Sequence, residues 1–150
     1  IRADLVPEGL GAEAWHHCTM GSAPIVSVAG IAAIDVMLEE VLPQKARRQG
    51  KRMLRRLKEM QKRHRLIGDV RGAGLLIAVE LVRDRETKER ATTEGQEVYE
   101  IALKNGVIFG HYPAGVVHIK PPLAISDELA DRVLDVLDAA LSQVEARTSP

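Results

Sequence analysis

His17-Cys18-Thr19-Met20-Gly21-Ser22-Ala23-Pro24 is the stretch that divides this 150-residue chain. Before it, residues 1–16 contain one proline and two glycines without sustained apolar periodicity, which predicts an irregular arm. After it, Pro24 suits the first position of a helix, where a missing N–H costs nothing. The Thr19 hydroxyl, the small residues and the helix start predict a turn that binds an anion.

The composition limits the classes of function. Lys+Arg and Asp+Glu are both 21, so the net charge is zero, which argues against a general nucleic-acid binder. Aromatic residues make up 3%, too few for a base-stacking surface. No apolar run approaches the roughly 18 residues of a membrane span. The single cysteine suits a cytoplasmic protein, and the start at Ile1 without methionine suits a fragment.

Two helices are predicted after the turn. The first covers about residues 24–40, and its apolar face includes small residues that suit close packing against another helix or a partner. The second covers about residues 44–64, with apolar positions three and four apart. Its other faces carry many Lys and Arg side chains, which indicate a solvated surface, a surface for an acidic partner, or a nucleic-acid contact.

The remaining pattern predicts a small sheet and two further helices. We expect strands over 75–82, 107–109 and 116–120, a turn over 111–115, and helices over 93–104 and from Ser126 onward. Gly72 and Gly74 suggest a bulge or a close backbone approach before the first strand. The economical packing is an α+β fold, a two-layer α/β arrangement in which helices cover one side of the sheet.

Few residues form a recognisable chemical site by themselves. His16, His17 and Cys18 are adjacent in sequence, and adjacent side chains rarely converge on one metal ion, so no metal site is predicted. Cys18 is interpreted as a small buried residue rather than a nucleophile. Arg71 is interpreted as a structural anchor that binds carbonyls or a carboxylate, with a role as substrate ligand as the alternative.

Several motifs together resemble the C-terminal third of a class III aminotransferase, a pyridoxal-phosphate enzyme of fold type I. The resemblance rests on the 19–24 turn with its small-residue helix, the segments Ile67–Ile77 and Glu80–Lys88, and Ile119-Lys120-Pro121-Pro122-Leu123. It implies residues 1–23 as an interface arm with a phosphate turn. Residues 24–150 then form a linking helix and the C-terminal small domain, whose sheet is mostly antiparallel.

The resemblance also implies site residues. Thr19, with Ser22 beside it, reaches the phosphate of pyridoxal 5'-phosphate in the partner subunit of a homodimer. Many members have an arginine before the Ile-x-Pro-Pro strand end that grips the substrate carboxylate, and here that position is His118. Histidine cannot make a bidentate fork, which favours an amine, a phosphorylated amine or a differently held amino acid. Arg71, through the alternative role given above, is the second predicted substrate contact, although the resemblance itself does not imply it.

The resemblance places the Schiff-base lysine upstream of this segment, so no catalytic residue is predicted here. We therefore expect the complete protein to transfer an amino group between an amine or amino acid and a keto acid, and this chain alone to be inactive. Decarboxylation, epimerisation and phospho-elimination stay open. The alternative function is a non-enzymatic oligomerising or binding module that presents helix 44–65 to an acidic partner, without membrane or nucleic-acid binding.

Overall fold

The computed structural model describes residues 20–21, 23–112 and 115–148. The chain divides into two compact units, Ile1–Val41 and Leu42–Pro150. The sequence-based boundary between residues 23 and 24 stays a prediction. The two units are described separately below.

Helix α1, Pro24–Glu39, belongs to the first unit. Proline lies in its first turn, as predicted, and the Ser27 hydroxyl donates to the Ala23 carbonyl oxygen over 3.3 Å. None of its side chains is buried, and Ile25 is 74% exposed. Apolar side chains occur all round the helix, a pattern typical of helices that a partner surface covers.

Within residues 42–112 and 115–148, the second unit has three helices and four strands. The helices are α2 (Leu42–Arg63), α3 (Thr92–Lys104) and α4 (Asp127–Thr148). The strands are β1 (Ile67–Ala73), β2 (Leu76–Leu81), β3 (Gly110–Tyr112) and β4 (Val116–Ile119). The sheet order is β1-β2-β4-β3, and all neighbours are antiparallel. The predicted α+β fold is confirmed.

One face of the sheet packs against the helices. In β2, Ile77, Val79 and Leu81 are buried, while the alternating Leu76, Ala78 and Glu80 are at least partly exposed. Helix α2 packs on β1 and β2, α3 packs on β2 and β4, and α4 packs on both α2 and α3. Among the described residues of this unit, no helix packs across the other face, and we call it the open face.

The helix ends follow their sequence signals. The Ser126 hydroxyl accepts a hydrogen bond from the Leu129 N–H at 3.2 Å and so caps α4, the helix predicted to begin at Ser126. Gly106 follows α3 with a φ of 79°, a conformation that favours glycine. Helix α1 ends at Glu39, close to the predicted end at residue 40, and Pro43 lies in the first turn of α2.

Two predictions about the strands were wrong. Residues 67–73 form β1, which sequence reasoning did not recognise, because two glycines and two charged residues interrupt its apolar positions. Backbone hydrogen bonds to β2 stabilise the extended conformation that this composition alone does not favour. Residues 107–109 are not a strand, since the strand begins at Gly110 and includes His111 and Tyr112, which were assigned to a turn. Register with β4 decides these limits.

Candidate functional site

Both predicted substrate-binding residues lie in one row across the sheet. Arg71 pairs with Ala78, Ala78 with His118, and His118 with Gly110. Paired residues of neighbouring antiparallel strands share a face, so this row belongs to the open face. Two strand spacings of about 4.8 Å separate the backbones of Arg71 and His118, or about 10 Å. The fold thus brings together two positions that are far apart in sequence.

Arg71 is held by carboxylates. Its Nη1 lies 2.7 Å from Asp69 Oδ2 and 3.2 Å from Glu80 Oε2. The hydrogen bonds to Asp69 and then Glu80 raise the pKa of Arg71 above its ordinary value. These contacts suit the anchor interpretation, because the acidic neighbours already neutralise the guanidinium. The same residues border a polar depression of about 480 Å³ together with Arg85 and Lys88.

His118 is one of the residues that line a groove of about 700 Å³, together with residues that follow β4 and residues at the start of α4. Gly110 is its neighbour on β3. A Cβ added at Gly110 would lie 3.1 Å from His118 Cβ and 3.2 Å from Lys120 Cε. Such distances are tighter than ordinary van der Waals contact, so Gly110 makes room for both side chains. The groove volume falls within the range of about 300–1,000 Å³ for small-molecule sites.

The groove wall is mainly apolar, and its charged side chains are basic. Arg132 Nη2 lies 3.7 Å from where a Cβ of Gly106 would stand, so its guanidinium extends over that glycine. Sequence reasoning missed Lys120 and Arg132. The signal for Lys120 was its spacing of two from His118, which places both on one strand face. Arg132 had no comparable signal, since only the packing of α4 brings it to the groove.

The predicted phosphate contacts Thr19 and Ser22 lie outside the described residues. The same is true of His16, His17 and Cys18. Within residues 20–21, 23–112 and 115–148, no group of three His, Cys, Asp or Glu side chains is placed to hold a metal ion. In the same part of the chain, no helix is long and apolar enough to cross a membrane.

The basic face of α2 finds acidic partners within the chain. Arg52 and Arg56 bind Asp131 at 2.8 and 2.9 Å, and Arg56 also binds Asp135 at 2.7 Å. The Arg52 hydrogen bond, together with that of Arg56, lowers the pKa of Asp131 although burial opposes this. Helix α4 therefore supplies the acidic surface for two of the arginines that the binding-module hypothesis offers to another molecule.

A buried histidine that follows α2 also binds two carboxylates of α4. His64 is 5% exposed, and its Nε2 lies 2.6 Å from Asp138 Oδ1 while its Nδ1 lies 2.9 Å from Glu145 Oε2. Burial pushes the pKa of Asp138 upward, but the His64 hydrogen bond and the charge of Arg63 outweigh it and lower that pKa. We call this set the α2–α4 seam; it comprises Arg52, Arg56, Arg63, His64, Asp131, Asp135, Asp138 and Glu145.

The chain matches a known protein family. The model of the family described as "Aminotransferase class-III" matches residues 4–141. That range contains the row on the open face, the groove and most of the α2–α4 seam.

Known proteins resemble the chain over most of its length. A leucine/methionine racemase of Thermococcus litoralis is 42% identical over 87% of the chain and 29% of its own length. An isoleucine 2-epimerase of Lentilactobacillus buchneri is 38% identical over 93% of the chain and 31% of its own length. The structure of an amine transaminase from an uncultivated Pseudomonas species, in its PLP-bound form, superposes with a TM-score of 0.78 at 29% identity, covering 86% and 30%.

The chain thus spans about three tenths of the length of the curated relatives that it matches. The family match over residues 4–141 includes α2, α3, all four described strands and the first two thirds of α4.

Proposed function

Because this chain belongs to the class-III aminotransferase family, we propose that it forms the C-terminal part of an enzyme that transfers an amino group between an amine or amino acid and a keto acid. The family match over residues 4–141 is the observation that carries the proposal. Since the chain spans about three tenths of its relatives, the remaining part of such an enzyme contributes the other residues of the site.

Pyridoxal phosphate is the cofactor that the family implies. When bound, it supplies an electron sink for the carbon that carries the amino group. The hydroxyls of Thr19 and Ser22 have the donor chemistry that a phosphate needs, and we propose them as its contacts across a homodimer interface. None of the seven lysines is assigned as the Schiff-base residue.

The open face supports a substrate-orienting role for this chain. His118 lines the groove, and an imidazole ring nitrogen can donate a hydrogen bond to a substrate. Arg71 is held by Asp69 and Glu80. A single ring donor gives less directional grip on a carboxylate than a guanidinium fork. We therefore propose that His118 contacts the substrate. We propose that Arg71 has a structural role, in which it holds the carboxylates of Asp69 and Glu80 on the same sheet.

Racemisation or epimerisation of an apolar amino acid is the second candidate. It is favoured by the 42% and 38% identity to the leucine/methionine racemase and the isoleucine 2-epimerase. Inversion removes the proton from the amino-bearing carbon and returns one to the opposite side, so no keto acid accumulates. The two candidates therefore differ in their products.

The test uses the complete enzyme with pyridoxal phosphate and L-leucine, with and without pyruvate, in deuterated water. Amino transfer yields 4-methyl-2-oxopentanoate and alanine only when pyruvate is present. Epimerisation yields deuterated D-leucine without pyruvate. An enzyme that carries out neither reaction, with L-leucine or with a panel of primary amines and amino acids, contradicts the proposed function.

A further inference from the structure

Helix α2 presents three different faces, because an α-helix turns by about 100° per residue. Ala46, Met53 and Leu57 lie on the first face and belong to the buried core. Arg52 and Arg56 lie on the second face, where they join the α2–α4 seam. The third face carries exposed cations spaced four, four and three residues apart, namely Arg47, Lys51, Arg55 and Lys58. We call these four residues the basic stripe.

The charges of the basic stripe are not neutralised by neighbouring carboxylates. Within the part of the chain that the structure describes, no Asp or Glu side chain forms an ion pair with any of the four. By contrast, Arg52 and Arg56 bind Asp131 of α4 at 2.8 and 2.9 Å. Lys62, one turn beyond the basic stripe, binds Glu59 at 2.7 Å. About 16 Å of helix therefore presents a row of unpaired positive charge to the solvent.

Helix α4 shows which acidic surface fits such a row. Its side chains Asp131, Asp135 and Asp138 are spaced four and three residues apart, which places them on one helix face. Arg56 binds the first two at 2.9 and 2.7 Å, and Arg63 binds the third at 3.2 Å. The basic stripe has the same spacings of four and three residues. A second acidic helix with carboxylates at these spacings therefore matches its charges.

The remaining features of α2 disfavour a membrane or a nucleic acid as the occupant. A helix that lies on a membrane inserts its apolar face into the lipid. The apolar side chains Met53, Leu57 and Met60 are instead buried in the core. Helix α2 also contains no aromatic residue on which a base could stack. An acidic protein surface needs neither feature, since matched ion pairs provide the complementarity.

We propose that the basic stripe docks a helix of a partner protein whose Asp and Glu side chains are three and four residues apart. Exposed ion pairs each contribute little, so the contact is weak and salt-dependent, and its specificity comes from the spacing of the charges. The residues proposed to contact cofactor and substrate, Thr19, Ser22 and His118, lie outside α2. Docking at the basic stripe and the proposed reaction can therefore fail separately.

The experiment is a titration of the isotopically labelled 150-residue chain with an acidic, alanine-rich peptide of about 20 residues, long enough to form a helix. Its glutamates are four and three residues apart. A control peptide has the same composition, with its glutamates at every second position. We expect saturable amide shifts at Lys51, Arg55 and Lys58, which vanish as salt rises, and about threefold weaker binding of the control peptide.

Two double variants test the cations. Lys51→Gln with Arg55→Gln should weaken binding of the acidic peptide about tenfold, at about threefold for each charge removed. Lys88→Gln with Lys104→Gln removes the same charge from exposed positions outside α2 and should leave binding unchanged. The amide spectrum reports at the same time whether each variant is folded.

Several outcomes would overturn the docking of an acidic helix. These are equal binding of the two peptides, unchanged binding by Lys51→Gln with Arg55→Gln, and amide shifts located outside α2. Tighter binding of a single-stranded oligonucleotide of the same net charge, or of phosphatidylserine vesicles, would identify a different occupant. Shifts of the basic stripe that depend on the concentration of the chain alone would identify a second copy as the occupant.

Discussion

At the scale of single residues, the contact between Gly50 and Gly74 is the tightest constraint on substitution. A Cβ at position 50 would collide with the carbonyl group of Gly74, which is backbone and cannot rotate away. Gly74 itself has a φ of 55°. We predict that Gly50→Ala lowers the free energy of unfolding by about 3 kcal/mol, measured by urea titration.

Gly30→Ala is the matched control for this substitution. Both glycines are helical, but a Cβ at position 30 meets nothing within 4 Å. Alanine there should leave the urea midpoint unchanged or raise it slightly, because it favours the helix by about 0.5–1 kcal/mol. Equal effects of the two substitutions would contradict the close approach at Gly50.

The carboxyl of Asp138 predicts how stability depends on pH. Burial raises its pKa, but the hydrogen bonds and charges of His64 and Arg63 together outweigh burial, so the pKa is lower in the folded chain than the ordinary value of 3.8. A lowered folded pKa contributes stability above the unfolded pKa, and that contribution is lost as the pH falls through the folded pKa. Asp138→Asn should therefore cost about 1–2 kcal/mol near neutral pH.

Urea titrations of the parent and Asp138→Asn at about pH 6 and about pH 2.5 check this prediction. The difference in unfolding free energy should be present at the higher pH and shrink toward zero at the lower. A difference that stays constant with pH would mean that the substitution acts through packing rather than through the charge of Asp138.

Local sequence signals explain some of these residues and not others. Pro24, the Ser126 cap and Gly106 were predictable, because each acts on backbone within a few residues. The close approach predicted near Gly72 and Gly74 is confirmed. Its partner Gly50 was not predictable, since the collision involves a helix and a turn that meet only in the folded chain.

At the scale of elements, the α2–α4 seam links two helices that are distant in sequence. Arg56 binds both Asp131 and Asp135, while its neighbour Arg55 is exposed. Arg56→Gln should lower the free energy of unfolding by about 1 kcal/mol, and Arg55→Gln should change it little. Urea titrations at low and high salt measure this, and the Arg56→Gln effect should shrink as salt screens the pairs.

A seam that matters little for stability would give the two arginine variants the same midpoint at both salt concentrations. That result would mean that Arg56 behaves as a solvated surface side chain, which is one of the interpretations of the basic helix given by the sequence. The sequence indicated the basic face of α2 but not its partner. The acidic side chains of α4 are spaced three and four apart, and only the packing of the two helices pairs them with Arg52 and Arg56.

The sheet shows the same difference between pattern and packing. Strands β2 and β4 were predictable from apolar runs and the prolines that follow β4. Strand β1 was not, because its glycines and charges resemble a loop until β2 pairs with it. The row from Arg71 to His118 depends on that pairing, so the sequence alone named both residues without showing that they share a face.

At the scale of the whole molecule, α1 presents more apolar surface than a solvated helix does. Ile31 and Ile34 are 60% and 53% exposed, and none of its side chains is buried. Exposed apolar patches of this kind promote association. We predict concentration-dependent self-association of the chain in sedimentation equilibrium, reduced by Ile31→Gln with Ile34→Gln. A monodisperse monomer at all concentrations would contradict this.

We propose that this chain is one part of a larger pyridoxal-phosphate enzyme and that it does not hold the lysine that binds the cofactor. The most direct test is borohydride reduction of the chain with pyridoxal phosphate, followed by mapping of modified lysines by mass spectrometry. We predict scattered, substoichiometric modification of the seven lysines. A stoichiometric adduct on a single lysine of this chain would contradict the claim.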